Sequence, residues 1–470
     1  MSFETKINWF THPTGDPFAD VGGYVIEYLQ EKYPEKSIQD LIKEATDIYV
    51  KNWDNNLHSF FLNSTITHNS NKGQKGIDKT IAFYKSLFDG KESEQGICRI
   101  TGQKGNVFNG ARDNHVMSGS GTFINFHHGF ESGIRLSKEA LIRIYFIPLG
   151  VEQLGNKVAL LISNNEEVTR FFVRKNVDNN FKDIASGISE TIQRSVFSNP
   201  NNALFDFANQ CIENVRTITF DEETGTSLTA DVTLNLFHFT NFGAKPTAEL
   251  ITLPATVFSF YAYCLVRHGK EWRNFISRFY SNSKFKKTEF DPISNNLVHN
   301  SEQIDLETFK TWKNKVLDDL IKESSILKYF LYHSKKFQLN FIIVELYQIK
   351  IRKMDKRTLT KIRELSDFIV IDRADDEIKK SISRLNGAKY IHELRNFLLK
   401  LVVKNYADGN PSPLFSLEEY VEYLFPEGTN WREIRDLILI AIYQKLHELN
   451  VKVEIELKDE EEEEQENQNN

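Results

Sequence analysis

The chain has little cysteine. Its 470 residues include three, Cys98, Cys211 and Cys264, which lie far apart in the sequence. This excludes a disulfide framework and is typical of a protein in a reducing cytoplasm, which is the localisation we expect. Cys211 and Cys264 lie among apolar residues and are expected in the core. The N-terminal MSFETKINWF has no cationic segment followed by an apolar core, so we expect no secretory signal.

Long apolar runs are absent as well. The longest uncharged run, Leu250–Val266, has 17 residues and contains Pro254. A membrane-spanning helix needs about 20 residues. The run therefore predicts a buried helix, and we expect no membrane partner.

Common catalytic motifs are also missing: G-x-x-x-x-G-K-[ST], H-E-x-x-H and G-x-S-x-G do not occur. A metal site would have to combine Cys98 with the histidines His115, His127 and His128. Adjacent residues on a strand point to opposite faces, so His127 and His128 would not readily share a metal. Zinc also prefers recurring Cys or His pairs. We therefore predict a protein that is not an enzyme and has neither metal nor cofactor.

Negative charge is concentrated at one end of the chain. Of the net charge of −7, residues 456–470 carry eight acids against Lys458, and the rest of the chain is close to neutral. Two stretches are basic: residues 267–289 contain seven Lys or Arg against two acids, and residues 350–404 contain fifteen against eight. Cationic faces on a neutral body are typical of nucleic-acid binding at defined places, although solvated helix faces give the same pattern.

The predicted fold class is α+β. A mixed α/β N-terminal domain covers residues 1–304, a helical bundle covers 305–455, and a disordered acidic tail covers 456–470. Three polar pairs predict helix starts, namely Ser37 with Asp40, Ser416 with Glu419, and Asn430 with Glu433. Helical spacing predicts buried faces at Phe309, Trp312, Val316 and Leu320, at Ile378, Ile382 and Leu385, and at Ile391, Leu394, Leu398 and Leu401.

Further elements follow from local patterns in the N-terminal part. Pro13, Gly15 and Pro17 predict turns, Gly22 and Gly23 lead into a short predicted helix, Tyr24–Leu29, and a further helix is predicted over Ile77–Phe88. VALLISNNEEVTRFFVRK predicts two strands around a turn, and Phe181–Val196 predicts a helix. Alternating residues around Glu-Thr-Gly in RTITFDEETGTSLTADVTLNLFHFTNFG predict a hairpin.

The region Gly96–Gly150 is rich in glycine and asparagine. Its glycines predict a long loop, which ends in an apolar run, Leu141–Leu149, that must be buried. Five polar residues are predicted to project from this loop: Lys104, Asn106, Asn109, Arg112 and Asn114. Arginine pairs with guanine edges and asparagine with adenine edges, so the loop is a candidate for reading bases. Ordinary turns are also rich in Asn and Gly, and that reading stays open.

The run RHGKEWRNFISRFYSNSKFKK provides a second candidate. Its cations Arg267, Lys270 and Arg273 could follow a phosphate backbone. The aromatic and aliphatic residues of the same run have helical spacing and are expected in the core: Trp272, Phe275, Ile276 and Phe279.

Several stretches resemble the large subunit of type I-B CRISPR Cascade, in its CXXC-CXXC group. They are WFTHPTGDPFADVGG, GICRITG, GIRLSKEALIRIYFIPLG and FHFTNFGAKPTAELITLP, in this order over roughly the first 265 residues. Members of that family often carry two CxxC pairs that form a zinc knuckle. In this chain Cys98 is followed by Thr101, and the second pair falls on Ser137 and Ala140. One thiolate cannot hold zinc in a four-thiolate site, so a degenerate knuckle without zinc is predicted.

The resemblance implies a non-catalytic subunit of a guide-RNA surveillance complex in antiviral defence. Such a subunit recognises the short motif flanking a DNA target, helps to open the duplex and recruits a helicase-nuclease, while guide pairing reads the long sequence. The implied partners are CRISPR guide RNA, double-stranded target DNA, the helicase-nuclease, and the backbone, handle-binding and small Cascade subunits. The C-terminal helices would resemble the small subunit from about Met354, where an internal start is predicted to give a second, shorter product; an ordinary helix residue is the alternative reading of Met354. Candidates for DNA backbone contacts there are Lys379, Lys380, Arg384, Lys400 and Lys404.

Two other functions remain open. A metal-dependent nuclease could use the acids Asp372, Asp375, Asp376 and Glu377, although acids at a helix start more often serve capping and the helix dipole. A protein-interaction scaffold without nucleic-acid contact would fit the neutral body of the chain.

Overall fold

The computed structural model describes residues 7–119, 133–215, 231–240, 247–281, 289–291, 296–299, 302–304, 310–425 and 430–451. The fold is α+β, with a helical C-terminal region, as the sequence predicts. The chain forms two compact units. The first contains Met1–Ala262, Tyr280–Lys286 and Asn296–Ile321, and the second contains Tyr263–Phe279, Lys287–Asn295 and Lys322–Asn470. The acidic tail, His127, His128 and the Glu-Thr-Gly turn lie outside the described residues.

The elements follow in chain order. The helices are α1 (Pro17–Lys32), α2 (Ile38–Asp47), α3 (Gln74–Phe88), α4 (Lys138–Phe146), α5 (Glu166–Ala185), α6 (Pro200–Asn214), α7 (Ala255–Ser277), α8 (Lys315–Ile321), α9 (Leu327–Lys336), α10 (Phe341–Lys350), α11 (Lys356–Val370), α12 (Asp375–Asn386), α13 (Ile391–Ala407), α14 (Leu417–Glu419) and α15 (Trp431–Glu448). The strands are β1 (Glu94–Ile97), β2 (Lys104–Gly110), β3 (Ile134–Leu136), β4 (Glu152–Leu154), β5 (Lys157–Ser163), β6 (Leu234–Thr240), β7 (Thr247–Leu253), β8 (Tyr280–Ser281), β9 (Glu289–Asp291), β10 (Asn296–His299), β11 (Glu302–Ile304) and β12 (Lys313–Asn314).

Two antiparallel sheets shape the first unit. Strands β4, β5, β6 and β7 are neighbours in chain order, with Leu160 opposite Phe237 and Leu236 opposite Ile251. Strands β1, β2 and β3 form a smaller sheet. Helices α1 and α5 pack against each other and against β5, and α1 also packs on α4. The predicted apolar run Leu141–Leu149 is buried here, which confirms that expectation.

The predicted helix start at Tyr24 is wrong, because Gly22 and Gly23, which are predicted to lead into that helix, already lie inside α1. The helix begins earlier, where the Asp16 side chain accepts a hydrogen bond from Ala19 N and Pro17 occupies the first turn. A Cβ on Gly22 would lie 1.8 Å from the carbonyl oxygen of Arg143. The glycines therefore permit close helix contact rather than precede the start of the helix.

Arg143 is the polar centre of this contact. Its side chain is fully buried, and its Nη2 lies 2.6 Å from Asp20 Oδ1. It also donates hydrogen bonds to the carbonyl oxygens of Ala19, Trp9 and His12. One arginine thus fixes the N-terminal segment before α1 onto α4.

Three other local predictions are wrong. The second strand predicted after Ser163 is helix α5, because the Asn165 side chain accepts from Glu167 N at 3.0 Å and starts a helix. That helix ends at Ala185, so no helix covers Phe181–Val196. The run Leu250–Val266 is only partly helical, since β7 occupies its beginning and α7 starts at Ala255.

Helix capping is predicted well. Ser37 with Asp40 and Ser416 with Glu419 form reciprocal capping boxes. Asn430 caps α15 through Arg432 N. All three predicted helix starts are confirmed, and the first two predicted pairs form, whereas Asn430 pairs with Arg432 N instead of Glu433.

The predicted helical faces are buried with few exceptions. Ile378, Ile382, Leu385, Leu394, Leu398 and Leu401 lie in the core, and Ile391 is exposed. Trp312, Val316 and Leu320 are also buried, but α8 begins only at Lys315, and Phe309 lies outside the described residues. None of the helices in the described ranges is long and apolar enough to cross a membrane.

Candidate nucleic-acid interface

The described parts of Gly96–Gly150 are ordered as a small sheet and a helix, so the prediction of one long loop is wrong. Gly105 and Gly110 lie within β2, which pairs with β1 through Gly96 opposite Gly105 and with β3 through Gly110 opposite Ile134. A Cβ on Gly110 would lie 2.6 Å from Leu136 Cδ1, so this glycine allows close strand packing. Gly121 and Gly129 lie outside the described residues.

A cleft of about 460 Å³ opens beside the end of β2. Three of the five predicted base-reading residues line it, namely Asn109, Arg112 and Asn114. The opposite side comes from the loop at Leu62 and from α3 and the turn after it, including Phe83 and Lys91. The sequence did not reveal these partners because they are distant in the chain and carry no motif.

The turn after β2 holds Arg112 at the rim of the cleft. Its backbone N donates to Gly119 O at 2.9 Å, and its carbonyl accepts from Leu62 N at 2.7 Å. The guanidinium is exposed and makes no side-chain hydrogen bond or ion pair within the described parts of the chain. Glu92 and Asp113 also line the cleft, and Lys91 lies 3.7 Å from Asp89. Arg112 is therefore available to a ligand.

Asn114 supports this turn rather than facing solvent. Its side chain is buried, its Oδ1 accepts from Ala111 N at 2.7 Å, and its Nδ2 donates to Asn109 O at 3.0 Å. Both ends of the amide are thus used inside the turn. Asn109 is exposed on β2 opposite Arg135.

Lys104 and Asn106 do not line the cleft. Both are exposed on β2, and the Asn106 side chain accepts a hydrogen bond from Gln95 on the neighbouring strand. The structure therefore divides the five predicted residues between a cleft and a strand surface.

The cations predicted on α7 lie on its solvent-exposed part. Arg267, Lys270 and Arg273 are all exposed, and the helix kinks at His268, where φ is −132° and ψ is 31°. Trp272 and Phe275 of the same run are fully buried, and Phe275 stacks on Phe330 with ring centroids 4.8 Å apart. The expectation of core residues is confirmed for Trp272, Phe275 and Ile276, whereas Phe279 is only half-buried.

The cations of α12 and α13 differ in their availability. Lys380, Arg384 and Lys400 are exposed and have no side-chain partner within the described ranges. Lys379 is half-buried, and Lys404 forms a salt bridge with Glu377.

The acids proposed for a nuclease lie mainly in the first turn of α12, which contains Asp375, Asp376 and Glu377. The hydrogen bond from Lys404 lowers the pKa of Glu377, so this carboxylate stays charged and paired. Among the residues that the structure describes, no group of three His, Cys, Asp or Glu side chains could hold a metal ion. The acids are placed where they interact favourably with the helix dipole.

The four positions of the degenerate knuckle lie together. Cys98 Sγ accepts a hydrogen bond from Thr101 N at 3.4 Å, and Ser137 Oγ accepts from Ala140 N at 3.3 Å. Burial raises the pKa of the Cys98 thiol, but hydrogen bonds from Ser137 and Thr101 lower it to below its ordinary value. A single thiol with two hydroxyls and a methyl group does not fit zinc.

Comparisons with known proteins give one match. Residues 333–469 match the family model described as the DevT C-terminal domain. This range starts inside α9, covers well under half of the chain and includes the acidic tail. No curated protein and no solved structure matches the chain.

Proposed function

We propose that this chain is the large, non-catalytic subunit of a cytoplasmic guide-RNA surveillance complex of the CRISPR Cascade kind. In this role it reads the short motif flanking a DNA target, helps to open the duplex and recruits a helicase-nuclease. Its partners are the guide RNA, the double-stranded target, and the backbone, handle-binding and small subunits. The proposal draws its identity from the resemblance of the first 265 residues, and one structural observation supports it.

That observation is the cleft at the end of β2. Arg112 presents an exposed guanidinium that has no side-chain partner among the described residues, and Asn109 also lines this cleft. A guanidinium can donate two hydrogen bonds to a guanine edge, and an amide can both donate to and accept from adenine. The backbone of Arg112 is fixed at both its N–H and its carbonyl. Such a pre-positioned pair suits the reading of a short motif.

The exposed cations of the second unit suit sequence-independent contacts. Lys380, Arg384 and Lys400 on the bundle, and Arg267, Lys270 and Arg273 on α7, have no acidic partner within the described ranges. Unpaired cations release counterions when they contact phosphates and thereby strengthen binding. They would hold DNA without selecting its sequence.

A pull-down of the tagged chain from its native cytoplasm tests the identity. We expect repeat-derived RNAs of uniform length to co-purify with several stoichiometric proteins. Recovery of the chain alone, without RNA, would contradict the proposal. Magnesium-dependent cleavage of DNA by the purified chain would favour the nuclease instead.

Substitution of Arg112 tests the cleft. In the assembled complex, Arg112→Ala should weaken binding to targets with the preferred flank by about 1–3 kcal/mol and relax the preference. Lys400→Ala should instead weaken binding to all targets equally. It should also reduce the slope of log affinity against log salt concentration by about 1. A uniform loss with Arg112→Ala would show that this residue does not read the flank.

A further inference from the structure

We propose that the C-terminal segment of this chain, residues 452–464, docks on the exposed face of α13 and competes with nucleic acid for the cations there. The docking stands on its own observations. The competition rests on the proposed function and adds a regulation to it.

The exposed face of α13 is apolar at its centre. Leu399, Val403 and Tyr406 are 52%, 69% and 84% exposed, and their spacing of four and three residues places them on one helix face. Such a continuous apolar stripe is unusual on a surface helix without a partner. Lys400 adjoins the stripe, and α12 contributes Lys380 and Arg384 nearby, since Lys404 of α13 pairs with Glu377 of α12.

The C-terminal sequence complements this face in two ways. Val453, Ile455 and Leu457 alternate with charged residues, and Asp459 to Glu464 then form an unbroken acidic run. In an extended segment, alternate side chains repeat about every 6.6 Å along one face. Residues four apart on a helix repeat about every 6 Å. The apolar side chains of the segment can therefore match the stripe while the acids meet the cations.

The described structure also places the end of α15, after which the segment follows, close to the end of α13. Lys445, in the last turn of α15, lies 2.8 Å from Asp367 of α11. The adjacent Phe368 carbonyl accepts from Arg373, whose Nη2 lies 2.7 Å from Asp408, directly after α13. The C-terminal ends of α15 and α13 thus meet at the same end of the second unit.

The length of the segment is sufficient for this path. From Val451, six residues to Leu457 span at most about 20 Å. The stripe from Tyr406 back to Leu399 is about 10 Å long. The acidic run that follows Leu457 therefore reaches the cations of α13 and α12 without any rearrangement of the bundle.

A cross-linking experiment tests the docking in the full chain. The native cysteines Cys98, Cys211 and Cys264 are buried. Two cysteines introduced at exposed positions would therefore react in preference to them. With copper phenanthroline as oxidant, the pair Val403→Cys and Leu457→Cys should form an intramolecular disulfide at least tenfold faster than Leu417→Cys with Leu457→Cys. Leu417 is a matched control because it is 79% exposed but lies on α14.

Equal rates for the two pairs would overturn the docking. A disulfide between two chains would overturn it as well, since it would identify a second copy as the occupant of the stripe.

A second experiment tests the competition. The acidic run is neutralised by Asp459→Asn and by Glu→Gln at residues 460–464, and binding to a single-stranded oligonucleotide is titrated against salt. At low salt the variant should bind the oligonucleotide at least about fivefold more tightly than the unmodified chain. The difference should disappear at high salt. An unchanged affinity at low salt would overturn the competition.

The two experiments separate the possible failures. A specific cross-link in a chain that binds no nucleic acid, with or without the acidic run, would keep the docking and refute the nucleic-acid function. If neutralising the acidic run leaves nucleic-acid binding unchanged and the two cysteine pairs cross-link at equal rates, the nucleic-acid function is kept and the docking is refuted.

Discussion

At the scale of single residues, Arg143 carries an exceptional share of the contacts that position the N-terminus. We expect Arg143→Met to lower the free energy of unfolding of the first unit by about 3–5 kcal/mol, because Asp20 and three carbonyl oxygens lose a buried cation. Arg174→Met is the control, since Arg174 pairs with Glu31 at the surface and its loss should cost less than about 1 kcal/mol. Urea unfolding of both variants measures the difference, and equal losses would contradict a central role for Arg143.

His333 makes the stability of the second unit depend on pH. The side chain is buried against the edge of the Phe275 ring, and burial lowers its pKa to about 3. In the unfolded state this imidazole therefore binds a proton as the pH falls through about 6.5, whereas in the folded state it does so only near pH 3. Stability should fall as the pH decreases from 6.5 towards 3, by up to about 1.4 kcal/mol per pH unit.

The variant His333→Gln should remove this part of the slope. Phe337→Leu is the control, because Phe337 packs against His333 but carries no proton. It should lower stability at all pH values and keep the slope. Urea unfolding at pH 7, 5.5 and 4 measures both effects, and an unchanged slope in His333→Gln would exclude this histidine as the cause.

Residues that act through local chemistry were predictable, and those that act through distant contacts were not. Ser37, Ser416 and Asn430 cap helices as their sequence context indicates, because a cap depends on residues within one turn. Arg143 lies inside the apolar run Leu141–Leu149. Its four acceptors lie more than 120 positions earlier, so the sequence around Arg143 does not predict them. The role of Arg112 in a cleft likewise depends on Leu62, fifty positions earlier.

At the scale of elements, glycine was the least reliable indicator of where helices, strands and loops begin and end. Gly22 and Gly23 indicate a helix that starts only after them, at Tyr24, but α1 contains both and uses them to approach Arg143 closely. Gly105 and Gly110 indicate a loop, but β2 uses them within a sheet. In both cases a tertiary contact that the sequence does not display outweighs the local preference of glycine.

The four positions Cys98, Thr101, Ser137 and Ala140 allow a prediction about metal binding. Thr101→Cys, Ser137→Cys and Ala140→Cys together with Cys98 recreate two CxxC pairs on a turn and a helix start that already lie together. We expect this triple variant to bind one zinc ion per chain, and cobalt substitution should give the absorption bands of a tetrahedral thiolate site. Without metal it should be less stable by about 1 kcal/mol, because Ser137 caps α4.

Thr101→Cys alone is the matched control for the triple variant. It supplies only two thiolates and should not bind zinc tightly. If the triple variant also fails to bind, the four positions are not arranged around a common centre.

At the scale of the whole molecule, two different positions mark the start of the C-terminal part. The family match begins at residue 333, inside α9, whereas the internal start predicted from the sequence is Met354. Met354 lies in the connection between α10 and α11, with its N–H bonded to Gln348 O. A product beginning there would lack both α9 and α10.

That loss would remove contacts that hold α15. His447 Nε2 lies 2.9 Å from Ser334 O, and Gln444 Oε1 accepts from Leu339 N at 3.1 Å. Without α9 and α10, one face of α15 would be uncovered, and its buried polar groups would lose their partners.

We therefore expect a fragment of residues 354–470 to melt at a lower temperature and less cooperatively than a fragment of residues 322–470. Thermal unfolding followed by circular dichroism measures this, and equal curves would show that α9 and α10 do not stabilise the bundle. Untagged expression of the intact gene tests whether the shorter product is made at all, because a second band should disappear when codon 354 is changed. If that band exists, its low stability alone predicts that it persists only when bound to the full-length chain or another subunit, where a partner covers α15.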